Sequence, residues 1–167
     1  MCTTESNIIW FYGPEHVCSN MYPCKIQDPY FNMEFNCVSQ GYVYYKSISQ
    51  KYPSIGCRVM HESNPWEIEK LNSMIVSDYH WRHVERTNIM KYLLNLKFAQ
   101  VAPYREFLFH NLKNLDRLRS ASLQHYWGGA FDFSHNKLAK LHKETIINAL
   151  KTHHENVLTQ SMQNMCL

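Results

Sequence analysis

The most regular stretch of the chain is RHVERTNIMKYLLNLKFAQV, residues 82–101. Its apolar side chains recur every three or four residues, which is the pattern of an amphipathic helix with a wide buried face. Pro103 follows directly and is expected to stop the helix. The stretch therefore predicts the strongest helix of the chain.

Weaker patterns of the same kind lie on both sides. Helices are also predicted over residues 38–48, from Pro65 onward, over 104–112 and over 136–151. Asn64 can cap the helix that begins at Pro65, since Asn is a favoured N-cap and proline fits the first helical position. Short strands are expected near the front, at residues 8–12 and 31–35. This order does not fit alternating βαβ units, so we predict a mainly α-helical α+β fold in one compact domain.

Composition bounds the class of protein. The chain has 167 residues, a hydrophobic fraction of 45%, a charged fraction of 19% and a formal charge of +3. A chain of this length suits one domain, and its hydrophobic content excludes a disordered protein. The small positive charge argues against a surface that binds a nucleic acid duplex, so no unmodified nucleic acid is expected as a partner.

Targeting and metal signals are missing from the sequence. No apolar run approaches the ~20 residues of a membrane span, and the first residues do not form a secretory signal. We expect a cytoplasmic protein with no membrane partner. The six cysteines include no Cys-x2-Cys pair, so no metal and no cofactor are expected.

Polar and aromatic residues are concentrated in two loops. The first is Ser19-Asn20-Met21-Tyr22-Pro23, and the second is Tyr126-Trp127-Gly128-Gly129. Glycines beside a tryptophan let a flat ligand approach the ring and the backbone. The acids at positions 67, 69, 78 and 85 lie on or beside predicted helices and are interpreted as solvated faces.

Taken in order, these segments resemble the NADAR family, named for NAD and ADP-ribose. It includes a bacterial riboflavin-pathway N-glycosidase and antitoxins that reverse ADP-ribosylation of DNA. The resemblance lies in residues 19–23, 38–46, 65–71, Trp81, Met90, Lys97-Phe98, 118–122, Trp127-Gly128 and 136–140. It implies a NADAR-like domain over residues 8–152, an N-terminal tail over 1–7 and a polar, frayed C-terminal tail over 153–167.

The departures from the family's pattern concern its charged groups. The family's helix carries a glutamate, its most probable catalytic acid, at a position that falls here on Ser39 or, with a one-residue slip, on Gln40. Neither side chain can act as a carboxylate. A different alignment would bring in Glu34, and Asp132 is a second candidate for the acid. No catalytic residue is therefore assigned.

The resemblance implies a pocket for an NAD- or ADP-ribose-derived nucleotide. In such a pocket Trp81 and Trp127 would stack on flat parts of the ligand, while Lys46 and Lys97 would meet its phosphates. Hydrogen bonds to ribose would come from Ser19, Asn20 and Asn136. The remaining expected binding residues are Tyr22, Ser39, Gln40, Gln124 and Gly128.

With the acids lost, we expect binding without cleavage. Sequestration of a nucleotide immune signal, as a viral anti-defence protein would perform it in the host cytoplasm, is consistent with such a pocket. One alternative is an active N-glycosidase that removes ADP-ribose from a base. Another is an interaction module without a ligand, in which the tyrosine-rich run 42–45 is an exposed contact surface. A homo-oligomer is compatible with the high aromatic content.

Overall fold

Helices form most of the structure. The computed structural model describes residues 7–122, 124, 126–128 and 135–165. Its α-helices are α1 (Val38–Ser49), α2 (Pro53–His61), α3 (Pro65–Ser73), α4 (Arg86–Gln100), α5 (Ala102–His110) and α6 (Lys137–Met165). A π-helix at Trp81–Glu85 leads directly into α4, and a 3₁₀-helix at Leu112–Arg117 follows α5.

Four short strands form two small sheets within the described residues. They are β1 (Ile9–Phe11), β2 (Ile26–Asp28), β3 (Met33–Phe35) and β4 (Leu118–Ser120). β1 pairs in parallel with β4, with Ile9 opposite Leu118, whereas β2 and β3 form an antiparallel pair. The parallel pair brings the carboxyl ends of two distant segments to the same edge.

The core lies between α1 and α4. Met90, Leu93 and Leu94 of α4 are buried, as the pattern in residues 82–101 predicts. Gly41 allows α1 to pack closely against α4, because a Cβ at this position would lie 2.8 Å from Cδ2 of Leu93. The mainly α-helical α+β fold, in one compact domain, is thereby confirmed.

Several elements differ from the sequence prediction. α2, β2 and β4 were not predicted, and the first turn of the helix predicted over residues 82–101 is a π-helix. The last helix was predicted to end near residue 151, but α6 continues to Met165. The expectation of a frayed tail after residue 153 is therefore wrong for the residues up to Met165. The domain boundary at residue 152 stays a prediction. None of the described helices combines the length and apolar character needed to cross a bilayer.

Candidate functional site

A cavity of about 660 Å³, open to solvent, lies at the carboxyl ends of β1 and β4. We call it the aromatic cavity. It is lined by Phe11, Tyr12, Ser19, Asn20, Met21, Ser39, Trp66, Glu69, Ser120, Ser122, Gln124, Trp127 and Leu138. Aromatic rings and small polar side chains converge here from β1, α1, α3, β4 and the start of α6, and this combination is typical of a small-molecule site.

Glu69 is the single charged residue among the described residues that line the aromatic cavity. Oγ of Ser39 donates a hydrogen bond of 3.0 Å to its Oε1. Nδ2 of Asn72 and Nε2 of Gln124 donate to its Oε2 at 3.3 and 3.4 Å. The carboxylate is therefore held in one orientation by three neutral donors.

The local sequence explains why α3 presents Glu69 to the cavity. Asn64 caps the helix, since its side chain accepts a 3.0 Å hydrogen bond from the amide of Trp66. Ile68 and Leu71 turn into the core. Positions 66 and 69 are three residues apart, so they share the neighbouring face of the helix.

The loop that carries Ser19 and Asn20 is fixed from two sides. The amide of Ser39 donates to the carbonyl of Asn20 at 2.9 Å. Nζ of Lys97 donates to the carbonyls of Val17 and Ser19 at 2.6 and 3.0 Å. These hydrogen bonds hold the loop in place where Ser19 and Asn20 line the aromatic cavity.

The prediction that Lys97 meets phosphates is corrected by this arrangement. Its side chain is 0% exposed, and its ammonium group is occupied by backbone carbonyls beneath the loop. Burial lowers the pKa of Lys97, because the charged form is poorly solvated there. Tyr22, whose ring centroid lies 5.4 Å from that ammonium, is not among the residues that line the cavities described here.

Gln40 also has a structural role and not the predicted ligand contact. Its Oε1 accepts from the amide of Asn36 at 2.7 Å, and its Nε2 donates to the carbonyls of Val59 and Glu62 at 3.0 and 3.1 Å. The side chain is fully buried, so its amide joins α1 to the end of α2.

Asn136 and Gly128 shape the cavity wall. The side chain of Asn136 accepts from the amide of Ser120 at 3.1 Å and donates to the carbonyl of Leu118 at 3.0 Å, so it joins β4 to α6. These two hydrogen bonds give Asn136 a structural role, and its predicted ribose contact stays a prediction. A Cβ on Gly128 would lie 1.8 Å from the carbonyl oxygen of Ser122, so close backbone packing requires glycine here.

A second cavity of about 620 Å³ lies beside the first, and we call it the cationic cavity. It is lined by Tyr42, Lys46, Asn72, Ser77, Trp81, Arg82, Arg86, Gln124, Tyr126 and Trp127. Gln124 and Trp127 line both cavities. Three of the residues around it are cationic, and none of the described residues in its wall is acidic.

A hydrogen-bonded chain connects the two cavities. Nζ of Lys46 donates to Oδ1 of Asn72 at 2.9 Å, and Asn72 donates in turn to Glu69. Burial lowers the pKa of Lys46, and the charge of Glu69 opposes that shift.

The tryptophans predicted to stack are both buried. The ring centroid of Tyr42 lies 5.5 Å from that of Trp81 and 5.8 Å from that of Trp127.

The structure thus brings together part of the predicted site. Ser19, Asn20, Ser39, Gln124 and Trp127 line the aromatic cavity, and Lys46 and Trp81 line the cationic one. The remaining predicted binding residues are outside both linings: Tyr22, Gln40, Lys97, Gly128 and Asn136.

The candidate acids are placed as follows. Glu34 forms an exposed ion pair with Lys25, with Oε1 3.0 Å from Nζ, and it lines neither cavity. Asp132 lies outside the described residues. Glu69 was interpreted from the sequence as part of a solvated helix face; in the structure it is partly exposed and lines the aromatic cavity, which is open to solvent.

Sequence reasoning also missed Tyr12, Trp66, Arg82 and Arg86. A signal for Trp66 and Glu69 was present in their three-residue spacing beside the buried Ile68 and Leu71. No comparable signal marks the arginines, since their convergence depends on the π-helix and on the fold around it.

Within the described residues, no group of three or more His, Cys, Asp or Glu side chains is placed to hold a metal ion. The chain matches no protein-family model and none of the curated proteins.

Proposed function

We propose that the aromatic cavity binds the base and sugar of an ADP-ribose-type nucleotide. The observation that carries this proposal is the convergence of the rings of Tyr12, Trp66 and Trp127 with the small polar side chains of Ser19 and Ser39 in one cavity. Aromatic rings offer stacking surfaces for a base, and hydroxyl groups exchange hydrogen bonds with a ribose.

The resemblance to the NADAR family and the adjoining cationic cavity support the same ligand class. A nucleotide of this class carries a flat base, ribose hydroxyls and phosphates. The two cavities adjoin, since Gln124 and Trp127 line both of them.

We favour binding without cleavage. Glycosidic hydrolysis commonly uses two carboxyl groups, one of them to protonate the leaving group. The aromatic cavity offers one acid among its described residues, Glu69, and that carboxylate accepts hydrogen bonds from three neutral side chains. A protein that holds the nucleotide intact would sequester it, which is the role expected of a viral anti-defence protein.

The test is to incubate the protein with NAD, ADP-ribose, cyclic ADP-ribose isomers and ADP-ribosylated guanosine. Thermal shift reports binding, and mass spectrometry reports whether the ligand is intact. A ligand at ~100 times its Kd stabilises the folded state by about 2.7 kcal/mol, which is readily measured. An intact, stabilising ligand supports the proposal, whereas no shift with any of these compounds contradicts it.

A matched pair of variants locates the ligand. Trp66 is 44% exposed at the aromatic cavity, and Tyr30 is 83% exposed on the loop between β2 and β3. We expect Trp66→Ala to weaken binding about tenfold, because it removes a stacking surface worth ~1–2 kcal/mol. Tyr30→Ala should leave the affinity unchanged, so equal effects of the two variants would contradict this location.

The placement of Glu69 favours a second candidate function, N-glycosidic hydrolysis. In that reaction the C–N bond to the sugar breaks and a water oxygen bonds to the same carbon. The water gives a proton to Glu69, and the leaving nitrogen takes a proton from solvent. Free base and ribosyl product would establish this function. Glu69→Gln should then abolish turnover with binding retained, and Glu67→Gln, on the exposed side of the same helix, should not.

The interaction module without a ligand is not favoured by the structure. Tyr42 and Val43 are buried, and Tyr44 and Tyr45 are half-buried against the core. The run 42–45 therefore does not form the exposed tyrosine surface on which that alternative depends.

A further inference from the structure

Arg86 of the cationic cavity forms no ion pair with an acid among the residues that the structure describes. Its Cζ lies 3.3 Å from the ring centroid of Tyr126, so it is held by stacking. Its Nε is buried and has no hydrogen-bond partner among the described residues. The hydroxyl groups of Tyr126 and Thr87 lie 2.5 Å apart, which fixes the ring beneath the guanidinium.

The π-helix explains how Arg86 reaches this cavity. The amide of Arg86 donates to the carbonyl of Trp81, five residues earlier, and this wider turn places both residues on the same side of the helix. Arg82 lies between them in sequence, and its Nε donates to the carbonyl of Asp78 at 3.2 Å. Trp81, Arg82 and Arg86 therefore face one cavity.

The charge of this cavity is not balanced within its own wall. Lys46, Arg82 and Arg86 line it, and no described lining residue is acidic. Glu69 lies in the other cavity, where it is linked to Lys46 through Asn72 and offsets part of the charge of that lysine. Within the described part of the chain, the terminal amino groups of Arg82 and Arg86 have no hydrogen-bond acceptor, whereas Nε of Arg82 is already bonded and Nε of Arg86 is buried. Planar guanidinium groups of this kind suit the oxygens of a phosphate.

We propose that Arg82 and Arg86 form a phosphate-binding subsite in the cationic cavity, and that the protein therefore selects phosphorylated nucleotides over nucleosides. This inference rests on the proposed function for the binding of the nucleotide's base and sugar in the aromatic cavity. The subsite itself depends only on the cationic cavity, so it can be tested without a nucleotide.

The experiment measures binding by isothermal titration calorimetry with three probes: ADP-ribose, adenosine and inorganic pyrophosphate. The test variant is Arg82→Gln/Arg86→Gln. The control, Lys113→Gln/Lys151→Gln, removes two positive charges from exposed positions outside both cavities. Unfolding of each variant without ligand shows whether it is folded, and Arg86→Lys tests whether charge alone is sufficient.

We expect the double arginine variant to bind ADP-ribose about 100-fold more weakly and to lose pyrophosphate binding, because charge-assisted hydrogen bonds are removed. Its affinity for adenosine should stay the same. The lysine control should change no affinity by more than about threefold. Arg86→Lys should weaken ADP-ribose binding about tenfold, since ammonium cannot form the paired contacts of a guanidinium.

Two other outcomes separate the proposals. If the wild-type protein binds pyrophosphate through these arginines but neither adenosine nor ADP-ribose, the subsite is supported and the proposed function fails. If the double arginine variant is folded and binds ADP-ribose and pyrophosphate as the wild type does, the subsite is overturned.

Discussion

At the scale of single residues, a substitution of Gln40 tests whether this side chain stabilises the fold or binds the ligand. Its amide satisfies three backbone groups, those of Asn36, Val59 and Glu62. Gln40→Leu would leave these groups without partners in a buried place. We expect the free energy of unfolding to fall by about 3 kcal/mol, with the affinity of the folded protein for ADP-ribose changed less than about threefold. Urea unfolding and calorimetry measure the two quantities.

Gln100 provides the control for that prediction. Its side chain also bonds a backbone amide and carbonyl, both of Gln27, but at an exposed position. Water can replace those bonds, so Gln100→Leu should cost less than about 1 kcal/mol. A large loss of ligand affinity in folded Gln40→Leu would instead place this residue in the binding site.

Gly128 and Gly56 differ in the atoms that an added Cβ would meet if the glycine were replaced by alanine. A Cβ at residue 128 would lie 1.8 Å from the backbone oxygen of Ser122, whereas one at residue 56 would lie 2.5 Å from the side-chain oxygen of Ser47. A hydroxyl can rotate away but a carbonyl in the cavity wall cannot. We expect Gly128→Ala to lower the free energy of unfolding by about 3 kcal/mol or more and Gly56→Ala by about 1 kcal/mol. Equal costs in denaturant unfolding would show that the loop at residue 128 adapts.

At the scale of elements, α3 carries Trp66 and Glu69 into the aromatic cavity and depends on one cap. Asn64→Ala removes the acceptor for the amide of Trp66, which we expect to cost about 1 kcal/mol of stability. Faster amide exchange should be confined to α3, and ADP-ribose binding should weaken a few-fold. Asn88→Ala, at an exposed position of α4, is the control and should change neither.

The elements also differ in whether their own sequences predict them. α1, α3 and α4 carry apolar residues at helical spacing over several turns, so their own sequences predict them. β2 (Ile-Gln-Asp) and β4 (Leu-Arg-Ser) lack the run of β-branched and aromatic residues that marks residues 8–12, and β4 forms because β1, more than a hundred residues away, pairs with it. Pairing at that distance is a property of the fold and leaves no local signal.

The candidate site divides in the same way. Ser19, Asn20 and Trp127 could be predicted, because small polar residues and glycines around aromatic rings mark a binding loop. The two arginines could not, since a π-turn changes which residues share a face. Lys97 and Gln40 were assigned to a ligand through the resemblance to the NADAR family, whereas in the structure both side chains are buried and bond to the backbone.

At the scale of the whole molecule, the two cavities are linked both to each other and to the core. A hydrogen-bonded chain runs from Lys46 through Asn72 to Glu69 and Ser39. On the other side of the aromatic cavity, the ring of Phe11 packs edge-on against His142, with centroids 5.2 Å apart. His142 therefore contacts a residue of the cavity wall.

His142 makes the stability of the protein sensitive to acid. Burial and the nearby charge of Lys97 lower the pKa of His142 to about 3, and its Nδ1 lies 2.6 Å from the hydroxyl of Tyr104. The unfolded chain takes up this proton near pH 6.5, while the folded protein does not until about pH 3. Below pH 6.5 the unfolded state binds more protons, so stability falls as the pH falls toward 3. The pKa of His16 is also lowered by burial and by Lys97, which acts in the same direction.

We therefore expect His142→Gln to flatten the acid limb of the stability profile. Glutamine can exchange a hydrogen bond with Tyr104 but does not titrate, so the wild type should lose about 3 kcal/mol more than the variant between pH 6.5 and 4. Urea unfolding at several pH values measures this difference, and His153→Gln, at an exposed position of α6, controls for loss of an ordinary histidine. Parallel profiles for the wild type and His142→Gln would mean that the core accepts the proton without unfolding. If the wild type but not His142→Gln then loses ADP-ribose binding before it unfolds, protonation of His142 acts on the cavity whose wall includes Phe11.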